Sequence, residues 1–222
     1  MTSEHATATA VVEAPETLSG LLRTATMAQH QHAETRPFIE ALMGGELSLA
    51  DYVTYLAQFA YVYEALESRD VSADPAPLND AALRRFPSIE SDLVALGAAD
   101  WRETHPALPA TLAYAERLRE VAHGGAPEYL AHHYTRYLGD LSGGQAIGAM
   151  IARHYGATPD QLAFFRFEDI EKPVIYKREY REAMDALAFS EAERDAAVAE
   201  AQAAFDYNAA IFDALGTAPD AR

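Results

Sequence analysis

The chain has 222 residues, half of them apolar and a tenth aromatic, with no cysteine and a formal net charge of −17 at pH 7. That length supports one substantial core, and the missing cysteine excludes disulfides, zinc–thiolate sites and iron–sulfur clusters. The charge argues against nucleic acid and anionic membranes as partners, and no run of 18 apolar residues is present to span a bilayer.

Residues 1–16, MTSEHATATAVVEAPE, lack the basic start and apolar centre of a secretion signal and read as a disordered leader on a cytoplasmic protein. A first helix is predicted from about Thr17 to Glu34, followed by a short one from about Pro37 that ends at Gly44–Gly45. Ser48 and Asp51 open a long third helix, LADYVTYLAQFAYVYEALESRD. Residues 71–110 carry Pro75, Pro77, Pro87, Pro106 and Pro109, so short helices and turns are expected there. Further helices are predicted over Ala110–Ala122, over Pro127–Tyr155, briefly from Thr158-Pro159, and over Lys172–Leu187. Ser190 with Glu193 caps a last helix that ends near Gly216. No alternating stretch, Asn-Gly hairpin signal or repeat appears, so the expected fold is one all-α domain over residues 17–216 with a short tail at 217–222.

One segment departs from ordinary helix chemistry. Within HHYTRYLGDLSGGQAIGAM, residues 132–150, Gly139, Gly143 and Gly144 are predicted to interrupt a helix whose period continues on both sides. Glycine inside a helix costs about 1 kcal/mol relative to alanine, so three within six positions need a reason. Their offsets suggest one nearly bare face. Close packing of two helices would explain a glycine pair, but Asp140 at the break does not suit an apolar seam. A flat ligand lying against the backbone does.

A flat ligand on a glycine face suggests a metal macrocycle, which makes the eight histidines the next question. His30 and His32 lie about 200° apart around one helix and cannot serve one site together. His30 shares a stripe with Arg23, Met27 and Glu34, which places a cation and a thioether along one side and an acid able to orient the imidazole. The residues alone do not choose His30 over His132 or His133.

Tyr134-Thr-Arg-Tyr-Leu-Gly-Asp-Leu-Ser-Gly-Gly-Gln145 resembles the distal-helix signature of the heme oxygenases, and His30-Gln-His-Ala-Glu34 resembles their proximal helix. Similar segments follow at Tyr63–Glu67, Tyr176–Arg181 and Phe205–Asn208, so the resemblance spans residues 18–216 in the family's order. It implies a helical bundle with haem sandwiched between a proximal helix and a glycine-kinked distal one. His30 falls at the iron ligand, with Glu34 beside it. Gly139 and Gly143 fall where the distal backbone passes over the haem, with Gly144 adjoining. Asp140 matches the acid that organises a distal water network with Tyr63, Arg136 and Asn208. Lys177, Arg181 and Tyr134 match propionate partners, Arg23 stands where the family has a lysine, and Phe205 lines the pocket. Met27 replaces a second propionate-facing lysine of the animal members. A partly exposed ion pair contributes about 0–1 kcal/mol, so the change bears on haem orientation more than on affinity.

The function implied is oxidative cleavage of haem at the α-meso carbon to biliverdin, carbon monoxide and ferrous iron. Dioxygen and an external electron donor, a flavin reductase or ferredoxin-type protein, would be required. A water held by an ionised Asp140 would deliver protons gently and keep the oxygen near the ring edge. No heptad stripe marks a coiled-coil dimer, and a monomer is expected. A haem-storage protein on the same fold is the alternative, against which the retained Asp140, Arg136, Gly139 and Gly143 weigh. A thiaminase-like hydrolase would need a cysteine nucleophile, and a di-iron bundle would need paired Glu-x-x-His motifs; the chain carries neither.

Overall fold

The structure, a computed structural model, describes residues 16–217, so the predicted leader (except Glu16) and all of the tail beyond Thr217 lie outside the described residues. Among the described residues the regular structure is helical throughout. The first predicted helix is two, α1 (Leu18–Ala25) and α2 (Met27–Glu34). They divide at Thr26, whose backbone leaves the helical region at φ −103°, ψ 2°. Its buried hydroxyl donates to the Leu22 carbonyl at 2.8 Å, which already accepts the Thr26 N–H. A side chain that competes for the helix's own acceptors is a recognised source of such bends, and its signal in sequence is weak.

α3 (Pro37–Gly44) begins on a proline and ends at Gly45, whose φ of 76° suits glycine. α4 (Leu49–Leu66) starts at the capping box read from the sequence. The Ser48 hydroxyl accepts the Asp51 N–H at 3.2 Å, and the Asp51 carboxylate accepts the Ser48 N–H at 2.7 Å. The proline-rich region forms a 3₁₀ turn at Ala81–Leu83, then α5 (Phe86–Ala95) and α6 (Trp101–Thr104). α7 (Pro109–Ala122) precedes α8 (Ala126–Tyr155), which closes at Gly156 with φ 70°. Two 3₁₀ turns, Pro159–Gln161 and Ala163–Phe165, lead to α9 (Pro173–Asp185) and α10 (Glu191–Thr217).

α4 is buried on nearly every side, with Tyr52, Leu56, Phe59, Val62, Tyr63 and Leu66 fully enclosed. α10 lies along α8 and also meets α1, α2, α3 and α7, so the three long helices form the centre and the short ones cover it. α8 remains hydrogen-bonded helix through Gly139, Gly143 and Gly144, so the expected interruption is not a break in the helix. The three glycines do not share one face either. A Cβ at Gly139 or Gly143 would meet nothing within 4 Å, whereas one at Gly144 would rest 3.6 Å from the Phe165 ring. At Gly148 it would lie 3.1 Å from the Phe165 Cβ. Close packing, set aside for the glycine group as a whole, is the reason for the second pair.

This division is measurable by thermal unfolding of the ligand-free chain. Gly139→Ala should stabilise it by roughly 0.5–1 kcal/mol through helix propensity alone. Gly148→Leu should destabilise it by about 1–3 kcal/mol, because Phe165 must move. Equal responses at the two positions would contradict the assignment.

Candidate active site

Arg136 and Asp140 stand one turn apart on α8, with side chains only 11% and 15% exposed and a 3.7 Å contact between Nη2 and Oδ1. A guanidinium cannot shed its proton, so this buried cation needs acceptors. It donates through Nη1 to Oδ1 of Asn208 on α10 at 2.6 Å, and through Nε to the hydroxyl of Tyr63 on α4 at 3.3 Å. Its charge also lies over the Phe59 ring, 4.8 Å from the centroid. Tyr63 in turn donates to the Asp140 carboxylate. Burial pushes the Asp140 carboxyl above the usual range, while the Arg136 charge, the Tyr63 hydrogen bond and more distant Arg85 pull it back. The four residues matched to a distal network are therefore assembled into one.

Above Asp140 opens a cleft of about 730 Å³ between α8 and the α1–α2 pair. Gly139 and Gly143 form part of its α8 wall, and the missing side chains leave the helix backbone open to it. Gly144 borders it too, but its bare side faces Phe165. His30 and Glu34 line the α2 side, with His30 Nδ1 3.4 Å from Glu34 Oε2 and the imidazole edge-on to Phe205 at 5.6 Å. Nδ1 so engaged leaves Nε2 as the nitrogen available to a ligand. Arg23, Met27, Tyr134 and Arg181 stand around the same cleft. Tyr134 is close to both arginines, whose charges oppose the upward push of burial on its hydroxyl. Met27 is 60% exposed.

Lys177 and Tyr63 do not line the cleft. Lys177 donates to Ser142 Oγ at 2.9 Å, so it touches the α8 side through that serine, and Tyr63 sits beneath Asp140. Arg178 points outward to Glu179 and Glu182. His132 and His133 are core residues. His132 Nε2 pairs with Glu200 at 2.9 Å and His133 Nδ1 with the Tyr180 hydroxyl at 2.8 Å. An aromatic floor outside the expected site completes the cleft: Tyr55, Phe59, Phe164, Phe165 and Phe212. Tyr55, Phe59 and Tyr63 recur at intervals of four along α4, a stripe that was available as a signal. Glu67, also outside the expected site, accepts from the Tyr137 hydroxyl at 3.1 Å and from two backbone N–H groups.

A single imidazole and a stretch of bare helix backbone line one cleft with two arginines, Arg23 and Arg181, which defines an all-α protein with a cleft between two helices suited to a planar anionic ligand. A model of the heme oxygenase family matches residues 16–214. Heme oxygenase 1 from Nostoc sp. is 36% identical over 203 residues, covering 89% of this chain and 85% of the relative. Heme oxygenase from Takifugu rubripes is 36% identical over 214 residues, covering 93% and 77%. The crystal structure of heme oxygenase-1 from the cyanobacterium Synechocystis sp. in complex with heme superposes with a TM-score of 0.83 at 31% identity, covering 90% and 92%. The chain belongs to the heme oxygenase family. Among the described residues no helix is long and apolar enough to cross a membrane.

The buried histidines make acid lability predictable. Burial pushes His133 down to about 3 and lowers His132 as well. Below about pH 6.5 the unfolded chain takes up protons that folded His133 refuses, so stability falls with falling pH. Asp92, pushed up to about 6 by burial, opposes this over the lower part of that range. In denaturant unfolding, His133→Asn should lose about 2 kcal/mol less than the parent between pH 7 and pH 5. An unchanged acid limb would contradict neutral burial.

Proposed function

We propose that this cleft binds haem and that the chain opens the ring oxidatively at the α-meso carbon, yielding biliverdin, carbon monoxide and ferrous iron. The observation that carries this reading is the bare backbone of Gly139 and Gly143, where an added Cβ would stand in open cleft, facing His30 with the carboxylate of Asp140 beside it. The residues present fit the macrocycle. His30 would hold the iron through Nε2, with Glu34 on Nδ1 fixing the ring. Arg23, Arg181 and Tyr134, with Lys177 acting beside Ser142, would meet the propionates. Phe205 and Met27 would flank the ring.

Bound iron porphyrin supplies dioxygen binding and a ring carbon that can be oxidised. The protein's part is steric and electrostatic. The α8 backbone at Gly139 and Gly143 confines a small ligand on the distal side and turns it toward one edge. Asp140 has Oδ2 occupied by Tyr63 and Oδ1 near Arg136, so it presents an anchored acceptor for water rather than a free acid. Held so, a water relays protons without a strong acid aimed at the reacting oxygen. Burying several hundred Å² of macrocycle at about 25 cal/mol per Å² amounts to roughly 10 kcal/mol before binding costs, so exposed Met27 tunes orientation rather than retention. We further propose that the chain works as a monomer, with electrons from a flavin reductase or ferredoxin-type protein.

Asp140→Ala should keep the hemin Soret band, cut biliverdin formation by about a hundredfold or more and gain peroxidase-like oxidation of phenols. Normal biliverdin yield from that variant would overturn the water-anchor role. His30→Ala should shift the Soret band of the hemin complex and abolish turnover, with activity returning in part on addition of free imidazole.

A further inference from the structure

Asp92 has no place in the distal network, yet it is a carboxylate with no exposed surface. It stands on α5 and accepts two backbone N–H groups of the 3₁₀ turn Ala163–Phe165, Ala163 N–H at 2.7 Å and Phe164 N–H at 2.8 Å. The two residues that end this turn face the site. The Phe164 ring meets Tyr63 edge-on at 5.4 Å, and the Phe165 ring fills the space left by Gly144 and Gly148. Both line the cleft. The contact path therefore runs from Asp92 through the turn and Phe164 to Tyr63, which holds Asp140.

We propose that Asp92 is a positioning residue for the reaction: its ionised carboxylate clamps the 163–165 turn and so sets the aromatic wall on which Tyr63 and Asp140 are aligned. The inference rests on the haem-degrading reading of the cleft. An apolar residue would fill the same space with less desolvation cost, but only an acceptor pair can hold two adjacent N–H groups at once, and a charged acceptor holds them about twice as strongly as a neutral one. The groups facing the carboxylate are Tyr52 from α4, Arg85 at the start of α5 and Arg166 just beyond the turn. Arg85 supports the same segment, donating to the Arg166 carbonyl at 2.6 Å and stacking on Phe167. Burial outweighs the two N–H bonds and the two arginines and brings Asp92 up to about 6, so the clamp is mostly charged at neutral pH and loosens as the pH falls through that value.

Amide NMR on the full chain without hemin tests the clamp, and turnover of the hemin-loaded chain tests its purpose. In the parent, the Ala163 and Phe164 amide signals should titrate together with a midpoint near pH 6. In Asp92→Asn that titration should vanish, with exchange at both amides about tenfold faster or more. The loaded variant should bind hemin within about twofold of the parent while kcat falls about fivefold or more, a split that general destabilisation would not give. Ala163 and Phe164 amides that exchange as fast as solvent-exposed ones in the parent overturn the proposal, and this arm needs no variant to fold. Unchanged kcat in Asp92→Asn despite released amides also overturns it. A parent that makes no biliverdin while its amides titrate refutes the reading of the cleft instead.

Discussion

A permanently charged guanidinium buried between three helices leaves little freedom in how those helices meet. Arg136 reaches Tyr63 on α4, Asn208 on α10 and Asp140 on its own α8, and each partner sits at one defined turn of its helix. Losing any acceptor would leave a desolvated cation short of hydrogen bonds, a far larger penalty than the bond itself is worth in water. The rotation of α8 about its axis follows from this. With Arg136 turned inward, Gly139 and Gly143 come to the edge of the cleft and Asp140 is held just beneath them. The charge is also what keeps Asp140 useful, since burial alone would drive its proton on and Arg136 restrains that drift.

The same helix solves two packing problems with one residue type. At Gly139 and Gly143 the absent side chains leave room for a ligand, while at Gly144 and Gly148 they leave room for Phe165. The two pairs are offset around the helix, so a wall for the ligand and a seam for the turn at 163–165 coexist within three turns. Phe165 lines the cleft as well, which ties the fit of the seam to the shape of the cleft.

Most of the fold was legible because its punctuation is local. Capping boxes at Ser48 and Ser190, prolines at Pro37 and Pro109 and glycines at Gly45 and Gly156 mark helix ends by chemistry confined to a few residues. The division at Thr26 was not legible, since threonine occurs inside many helices and only the backbone geometry distinguishes this one. Of the candidate site, the residues within the distal segment and beside His30 could be grouped by helical spacing. The α4 part of the aromatic floor, Tyr55 and Phe59, carries the same kind of spacing, but Phe164, Phe165 and Phe212 reach the cleft through tertiary packing with no local mark. Asp92 illustrates the same limit: nothing in FPSIESDLVA distinguishes a carboxylate that holds a distant turn from a solvated one.

The two walls of the cleft are built with unequal stiffness. The α8 wall belongs to a 30-residue helix packed against α10, α7, α4 and α9. The opposite wall is an eight-residue helix with Ala33 as its one buried residue. α2 is held mainly by α10, with Gln202 donating to the Ala25 carbonyl at 2.9 Å just before it and Arg36 reaching Asp213 just after it. A short helix with so little buried surface contributes little stability of its own. A ligand bridging His30 to the α8 backbone would supply much of the contact that α2 lacks within the chain. The side that carries His30, the proposed iron ligand, is then the less firmly packed one, while the Arg136–Asp140 network is held among the long helices α4, α8 and α10.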